Sequence, residues 1–451
     1  MDGIIIPLNE RKASQMKGQK PMQFETLAIH AGACPDAETG ACGTAIHQSA
    51  AYKFRNTEHA ANAFSLKEKS FIYSRVTNPT VGALEEKMAA LEGGVGATCT
   101  PSGLAANLLI FSALMSPGTD FVSSCKIYGG STSQFRDTFK RSFGWTCNFI
   151  DPTDPKNFEN SITEKTRVLY VESISNPEGV VSDMESIAKI AQKHGLPLVV
   201  DNTVATPYLC RPFEYGASIV VHSTTKYLSG HGNAMGGVVV DGGTFDWMKH
   251  ADKFPALGKE DPSYHGTTFA ETFEEMPIAM HNHAVGLRDL GINQQPMNAY
   301  LTMLGIQTLP LRMERHCANA QKVAEYLAKH PQVAWVNYAG LKTSPYHKLA
   351  SKYMKDGGAS SLFTFGLKGG YDAAVRLIES VRLFTHLANL GDTRSLIIHP
   401  SSTTHAELHP DQKIRAGVLP EAIRVSIGIE NPDDIIADLE QALAGVKAKA
   451  A

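Results

Sequence analysis

Three apolar, β-branched runs constrain this chain more than any other feature. They are Arg167-Val168-Leu169-Tyr170-Val171-Glu172, Pro197-Leu198-Val199-Val200-Asp201-Asn202-Thr203 and Ile219-Val220-Val221-His222-Ser223. Runs that do not alternate apolar with polar residues are buried on both faces, as strands of a parallel sheet are. Residues 183 to 194, between the first two runs, read as a helix, so strand-helix-strand units recur. Parallel neighbours require crossovers, and helices supply them. The expectation is an α/β fold with a mainly parallel sheet, in which ligands sit beyond the carboxyl ends of the strands.

Those ends carry the chemistry. After the third run come Ser223, Thr225 and Lys226, with Gly230 and Gly232 beyond. A lysine that follows a strand is ordinarily a solvated charge. A desolvated one loses its proton more easily, and the neutral amine is a nucleophile toward aldehydes such as pyridoxal phosphate. Ser223 and Thr225 would then hydrogen-bond the cofactor phosphate. The second run ends on Asp201, a carboxylate that is costly to bury without a partner. A protonated pyridine nitrogen supplies that partner, and an acid holding the nitrogen positive keeps the ring an electron sink. Lys226 and Asp201 together are more specific than either alone.

Further segments have two readings each. Tyr73-Ser74-Arg75-Val76-Thr77-Asn78-Pro79-Thr80 suits a helix start with a surface arginine. Arginine also offers a fork, and tyrosine a hydroxyl, to a phosphate. Ser102-Gly103-Leu104 opens a helix running to about Met115, which is an ordinary cap or an anion cradle. Tyr128-Gly129-Gly130 is an aromatic turn or a stacking platform. Asn176-Pro177 is a turn. Arg424, read as preceding a short alternating strand, would ordinarily face solvent.

Together these motifs resemble the pyridoxal-phosphate enzymes of cysteine and methionine metabolism, from about Glu25 to the last helix. The resemblance implies a fold type I architecture: an N-terminal arm (1–77) reaching a partner subunit, a large cofactor domain (78–300) and a smaller C-terminal α+β domain (301–451). By the same resemblance Lys226 holds the cofactor, Asp201 with Thr203 its ring nitrogen, and Ser102, Gly103, Leu104, Ser223 and Thr225 its phosphate. Tyr128 stacks on the ring and assists proton transfer, and Asn176 donates to the phenolic oxygen. Tyr73 and Arg75 reach a neighbouring subunit's phosphate, and Arg424 with nearby Ser395 clamps the substrate carboxylate. The resemblance also implies a homotetramer, a dimer of dimers with sites shared between chains.

The expected reaction is γ-replacement, turning O-acetylhomoserine and sulfide or methanethiol into homocysteine or methionine and acetate. Methionine or cystathionine γ-lyase and cystathionine γ-synthase are the alternatives, and a cofactor-retaining scaffold is another. Gly130 stands where methionine γ-lyases resemble a cysteine, and no second anion motif is evident for binding a whole cysteine.

Composition excludes other classes. With 451 residues, 43% hydrophobic, and a net charge of −3, the chain can bury a large core and offers nucleic acid no basic stripe. No apolar run is long enough to span a membrane, and the first residues lack a signal-peptide pattern, so a cytoplasmic location is expected. Seven dispersed cysteines indicate neither a disulfide framework nor a zinc site. His281-Asn282-His283 lacks supporting ligands, so it is expected on a helix surface and no metal is expected. Residues 1 to about 22 read as a polar leader without chemistry.

Overall fold

The structure, a computed structural model, describes residues 22–406, 409, 413 and 417–446, so the polar leader lies almost wholly outside the described residues. A seven-stranded sheet comprises β1 (Gly96–Thr100), β2 (Asp120–Ser124), β3 (Thr146–Ile150), β4 (Thr166–Glu172), β5 (Leu198–Asp201), β6 (Ile219–Ser223) and β7 (Gly237–Asp241). Their order is β1-β7-β6-β5-β4-β2-β3. Strands β3, β2, β4, β5 and β6 pair in parallel, and β7 runs antiparallel to both β6 and β1. This is the mainly parallel sheet that the apolar runs predict.

Side chains alternate across a strand, and here both sets are buried. Leu169, Val171, Leu198, Val200 and Val220 enter one core, whereas Val168, Tyr170, Val199 and Val221 enter the other. The helix Met184–Lys193 covers the first face through Met184, Ile187 and Ala191. The helix Gly103–Leu114 covers the second through Ala106, Leu109 and Ile110. Carrying the alternation two residues past Tyr170, Val199 and Val221 puts Glu172, Asp201 and Ser223 on that second face, at the carboxyl ends of three adjacent strands. The fold thus turns a pattern of period two into a cluster of polar groups.

The helix Pro79–Glu92 starts where Asn78 accepts hydrogen bonds from the Thr80 and Val81 amides, with proline at its first position. It stops at Gly93, whose φ of 79° is the left-handed cap glycine tolerates best. Beyond β7 a small hairpin, β8 (Glu260–Asp261) and β9 (Thr267–Thr268), leads to a buried helical turn. There His281 and His283 depart from expectation, because the segment Pro277–Leu287 packs against β7 and the helix Gly103–Leu114 and does not face solvent. His281 is 4% exposed, and His283 Nε2 lies 3.4 Å from Glu85 Oε2.

A second sheet of five strands follows: β10 (Val333–Asn337), β11 (Leu362–Leu367), β12 (Thr385–His386), β13 (Leu396–Ile398) and β14 (Ala422–Ser426), in the order β10-β11-β14-β13-β12. The helix Gly370–Ser380 packs on it, the 21-residue helix Leu309–Lys329 leads into it, and the helix Pro432–Gly445 packs on those two helices. Arg424 lies inside β14, paired with Thr364 and Ile398, and does not precede the strand as expected. Its strand neighbours Ile423 and Val425 are fully buried, so the short run is a two-sided core strand. No helix among the described residues is long and apolar enough to cross a membrane.

Candidate active site

A cavity of about 490 Å³ opens at the carboxyl ends of β4, β5 and β6, closed from above by residues 388–390 and β14 of the second sheet. Lys226 enters it from the turn after β6. Its Nζ donates to Asn389 Oδ1 at 2.7 Å, and burial, helped by the charge of Arg424, pushes its pKa down to about 8. The lysine is therefore much closer to a free amine near neutral pH than a surface lysine is.

Asp201 ends β5. Its Oδ1 accepts the Thr203 amide at 2.9 Å and its Oδ2 the Tyr170 hydroxyl at 3.3 Å, while burial pushes its pKa up. Among the described residues no lysine or arginine pairs with it, so a cationic ligand group would find a waiting counter-charge. Thr203 Oγ1 in turn accepts the Ser223 amide at 2.8 Å, which ties the ends of β5 and β6 together.

The helix Gly103–Leu114 points its N-terminus at the same place. Ser102 Oγ caps it by accepting the Ala105 amide at 3.2 Å, and a Cβ on Gly103 would lie 2.9 Å from Ser223 Cβ. Only glycine lets the free amides at this helix start come so close to Ser223, and such amides favour an anion. Leu104 and Thr225 line the cavity as well; the Thr225 hydroxyl accepts from the Gly236 amide at 3.0 Å and donates to its carbonyl at 3.3 Å.

Tyr128 stands at the cavity wall, 41% exposed, with its amide donating to Glu172 Oε1 at 2.7 Å. Its ring occupies the space that a Cβ on Gly130 would need, so a side chain at 130 would displace it. The Asn176 amide donates to Glu172 Oε2 at 2.9 Å, and Asn176 Oδ1 accepts from Arg424 Nη1 at 3.1 Å. Arg424 also donates from Nη2 to the Asn389 carbonyl at 3.0 Å. It is 4% exposed, burial lowers its pKa to about 10, and among the described residues it has no carboxylate partner.

One expectation changes here. Ser395 is buried away from the cavity: its hydroxyl donates to Glu430 Oε2 at 2.9 Å and accepts the Gly428 amide at 2.9 Å. A hydroxyl so committed does not join Arg424 in a clamp, and the residue that does lie between Arg424 and Lys226 is Asn389. Of the segment 389–400, expected to close the cavity, Asn389 and Leu390 line it and Ser395 does not. Asn389 stands two residues before Gly391, which has a φ of 72°. Glu172 was missed too, although it closes a buried run on a carboxylate as Asp201 does. Tyr73 and Arg75 do not line this cavity within the same chain; the Arg75 guanidinium sits 5.3 Å from the Tyr73 ring and donates to the Arg288 carbonyl.

A doubly covered, mainly parallel sheet whose strand ends gather a weakly basic lysine, an unpaired carboxylate and a helix N-terminus defines a pyridoxal-phosphate enzyme of fold type I. Within that class the chain belongs to the Cys/Met metabolism PLP-dependent enzyme family, whose model matches residues 25–444. It is 44% identical over 430 residues to the O-acetyl-L-homoserine sulfhydrylase of Leptospira meyeri, covering 94% of this chain and 97% of that one. It is 45% identical over 421 residues to the homocysteine synthase of Schizosaccharomyces pombe, covering 93% and 98%. Among solved structures, a Campylobacter jejuni chain described as an O-acetylhomoserine (thiol)-lyase, with N'-pyridoxyl-lysine-5'-monophosphate, superposes with a TM-score of 0.91 at 40% identity over 94% of this chain and all of that one.

Proposed function

We propose that this protein catalyses γ-replacement on O-acetylhomoserine, with sulfide or methanethiol as the incoming nucleophile, to give homocysteine or methionine and acetate. The observation that carries the reading is the charge inventory of the cavity: among the described lining residues the cations are Lys226 and Arg424. Sulfide and methanethiol have no carboxylate to hold, so one guanidinium clamp suffices for the amino-acid donor. The name of the Leptospira meyeri relative carries the same donor, and that of the Schizosaccharomyces pombe relative the same product.

The residues fit the cofactor. Asp201 would meet the pyridine nitrogen, Thr203 buttressing it, and Asn176 would donate to the phenolic oxygen. The Ser102-Gly103-Leu104 helix start, with Ser223 and Thr225, would hold the phosphate, as would Tyr73 and Arg75 of the partner subunit in a homotetramer of shared sites. Pyridoxal phosphate, when bound, supplies the electron sink that makes the substrate Cα–H acidic. Lys226, its basicity lowered by burial, holds the cofactor before substrate arrives and then takes the Cα proton. A second proton is then lost from Cβ, the electrons of that bond expel acetate from Cγ, where the thiol adds in its place, and Tyr128 delivers a proton to the departing acetate oxygen. Arg424 fixes the carboxylate in two hydrogen bonds and so aims Cα at Lys226. The arm (1–77), large domain (78–300) and small domain (301–451) are the division this reading assumes, in a cytoplasmic enzyme.

The test compares kcat/KM for O-acetylhomoserine with sulfide against that for cleavage of methionine or cystathionine. Faster elimination than thiol transfer at saturating sulfide would overturn the transferase reading in favour of a γ-lyase.

A further inference from the structure

Glu172 is the last residue of β4, in register with Asp201 of β5, and it lines the cavity at 4% exposure. A buried carboxylate is tolerated only when hydrogen bonds replace its water, and here both oxygens are used. Oε1 accepts the Tyr128 amide at 2.7 Å and Oε2 the Asn176 amide at 2.9 Å. These amides belong to two different loops, one after β2 and one after β4. The backbone of Glu172 is itself pinned, because Ser182 Oγ donates to its carbonyl at 2.7 Å.

We infer that Glu172 is a positioning residue, the buried carboxylate that sets the Tyr128 hydroxyl and the Asn176 amide against the reacting atoms. The inference rests on the assignment of Tyr128 as the acid for the leaving group. The relation continues from Asn176 Oδ1 to Arg424 Nη1, from Arg424 Nη2 to the Asn389 carbonyl, and from Asn389 Oδ1 to Lys226 Nζ. One hydrogen-bonded series thus joins proton donor, carboxylate clamp and lysine, with Glu172 its link to Tyr128.

The residue type follows from the donors. Two backbone amides demand two acceptors, which a carboxylate offers; glutamine offers one and turns an NH2 against the other amide. Burial and the nearby Asp201 charge push the Glu172 carboxyl well above its ordinary range, so the fold bears an electrostatic cost here. A strand end needing only to be filled would be cheaper with an apolar side chain.

The experiment uses the holoenzyme and the apoprotein of Glu172→Gln, Tyr128→Phe, the double variant and Glu172→Asp. Because small misplacements at a reacting centre cost on the order of a hundredfold, Glu172→Gln is expected to lose about that factor in kcat per cofactor-loaded site. Its apoprotein should bind pyridoxal phosphate about tenfold more weakly, while its melting temperature shifts by only a few degrees. In the Tyr128→Phe background the same change should cost clearly less kcat than in wild type, since one of the two groups it positions is already gone. Glu172→Asp, which keeps two acceptors on a shorter arm, should lie between wild type and Glu172→Gln, and it carries the same cycle if the glutamine variant does not fold. Fully additive losses, or a kcat per loaded site equal to wild type, would overturn the inference. If Tyr128→Phe alone leaves kcat intact, the acid assignment fails first and separately.

Discussion

Arg424 Nη1 donates to Asn176 Oδ1 at 3.1 Å across 248 residues of chain, so a strand of the second sheet and a loop of the first hold one another at the cavity. The guanidinium is held by an amide and a carbonyl, neither of which neutralises it, and its charge stays available for a substrate carboxylate. Arg424→Ala is expected to raise KM for the amino-acid donor by at least about 30-fold, the lower end of the roughly 2–5 kcal/mol for truncating a buried charged pair. Arg424→Lys should recover little, because an ammonium cannot span Asn176, Asn389 and a carboxylate as a planar fork does. Steady-state kinetics at saturating sulfide checks both.

Lys226→Ala should purify without the visible absorbance band of lysine-bound pyridoxal phosphate, and wild type should be yellow. Turnover should fall by about 10²–10⁴ even with cofactor added, the usual share of a proton-transfer group. An absorbance scan and a product assay suffice. A wild type that stays colourless after incubation with pyridoxal phosphate refutes the assignment.

The proposed sharing of sites between chains predicts complementation. Arg75→Ala and Lys226→Ala subunits, each inactive alone, should regain partial activity when mixed and allowed to exchange, because some hybrid sites receive both intact groups. Within one chain Arg75 lies outside the Lys226 cavity, which is why recovery requires a second subunit. Mixed oligomers that remain inactive would place Arg75 in a structural role.

His283 gives a pH dependence. Burial lowers its pKa, but the Glu85 carboxylate and the Val76 and Ala97 carbonyls outweigh burial and carry it from 6.5 to about 9. A base whose folded pKa is raised adds stability that is complete below its unfolded pKa and is lost as pH rises through the folded one. The contribution, on the order of 3 kcal/mol, should therefore be full below pH 6.5 and gone above about pH 9. Denaturant unfolding of wild type and His283→Gln at matched protein concentration should show a gap that closes across that window.

The β-branched runs were enough to specify a buried parallel sheet, and their terminal polar residues enough to mark Asp201, Ser223 and Lys226, because a period of two and an unbroken apolar run are local properties. The helix starts at Pro79 and Gly103 were legible for the same reason: a cap is written within four residues. The burial of His281 and His283 was not, since it depends on which elements pack over Pro277–Leu287. Nor was the choice between Ser395 and Asn389 legible. Both lie in one polar stretch, and what separates them is that Glu430 and Gly428, more than 30 residues on, consume the serine hydroxyl. The same holds for Glu172, whose partners are 44 residues before it and 4 after. The sequence by itself determined which groups with chemistry would stand at strand ends; only the tertiary structure decided which were free to act, because a polar atom's availability depends on every distant partner that reaches it.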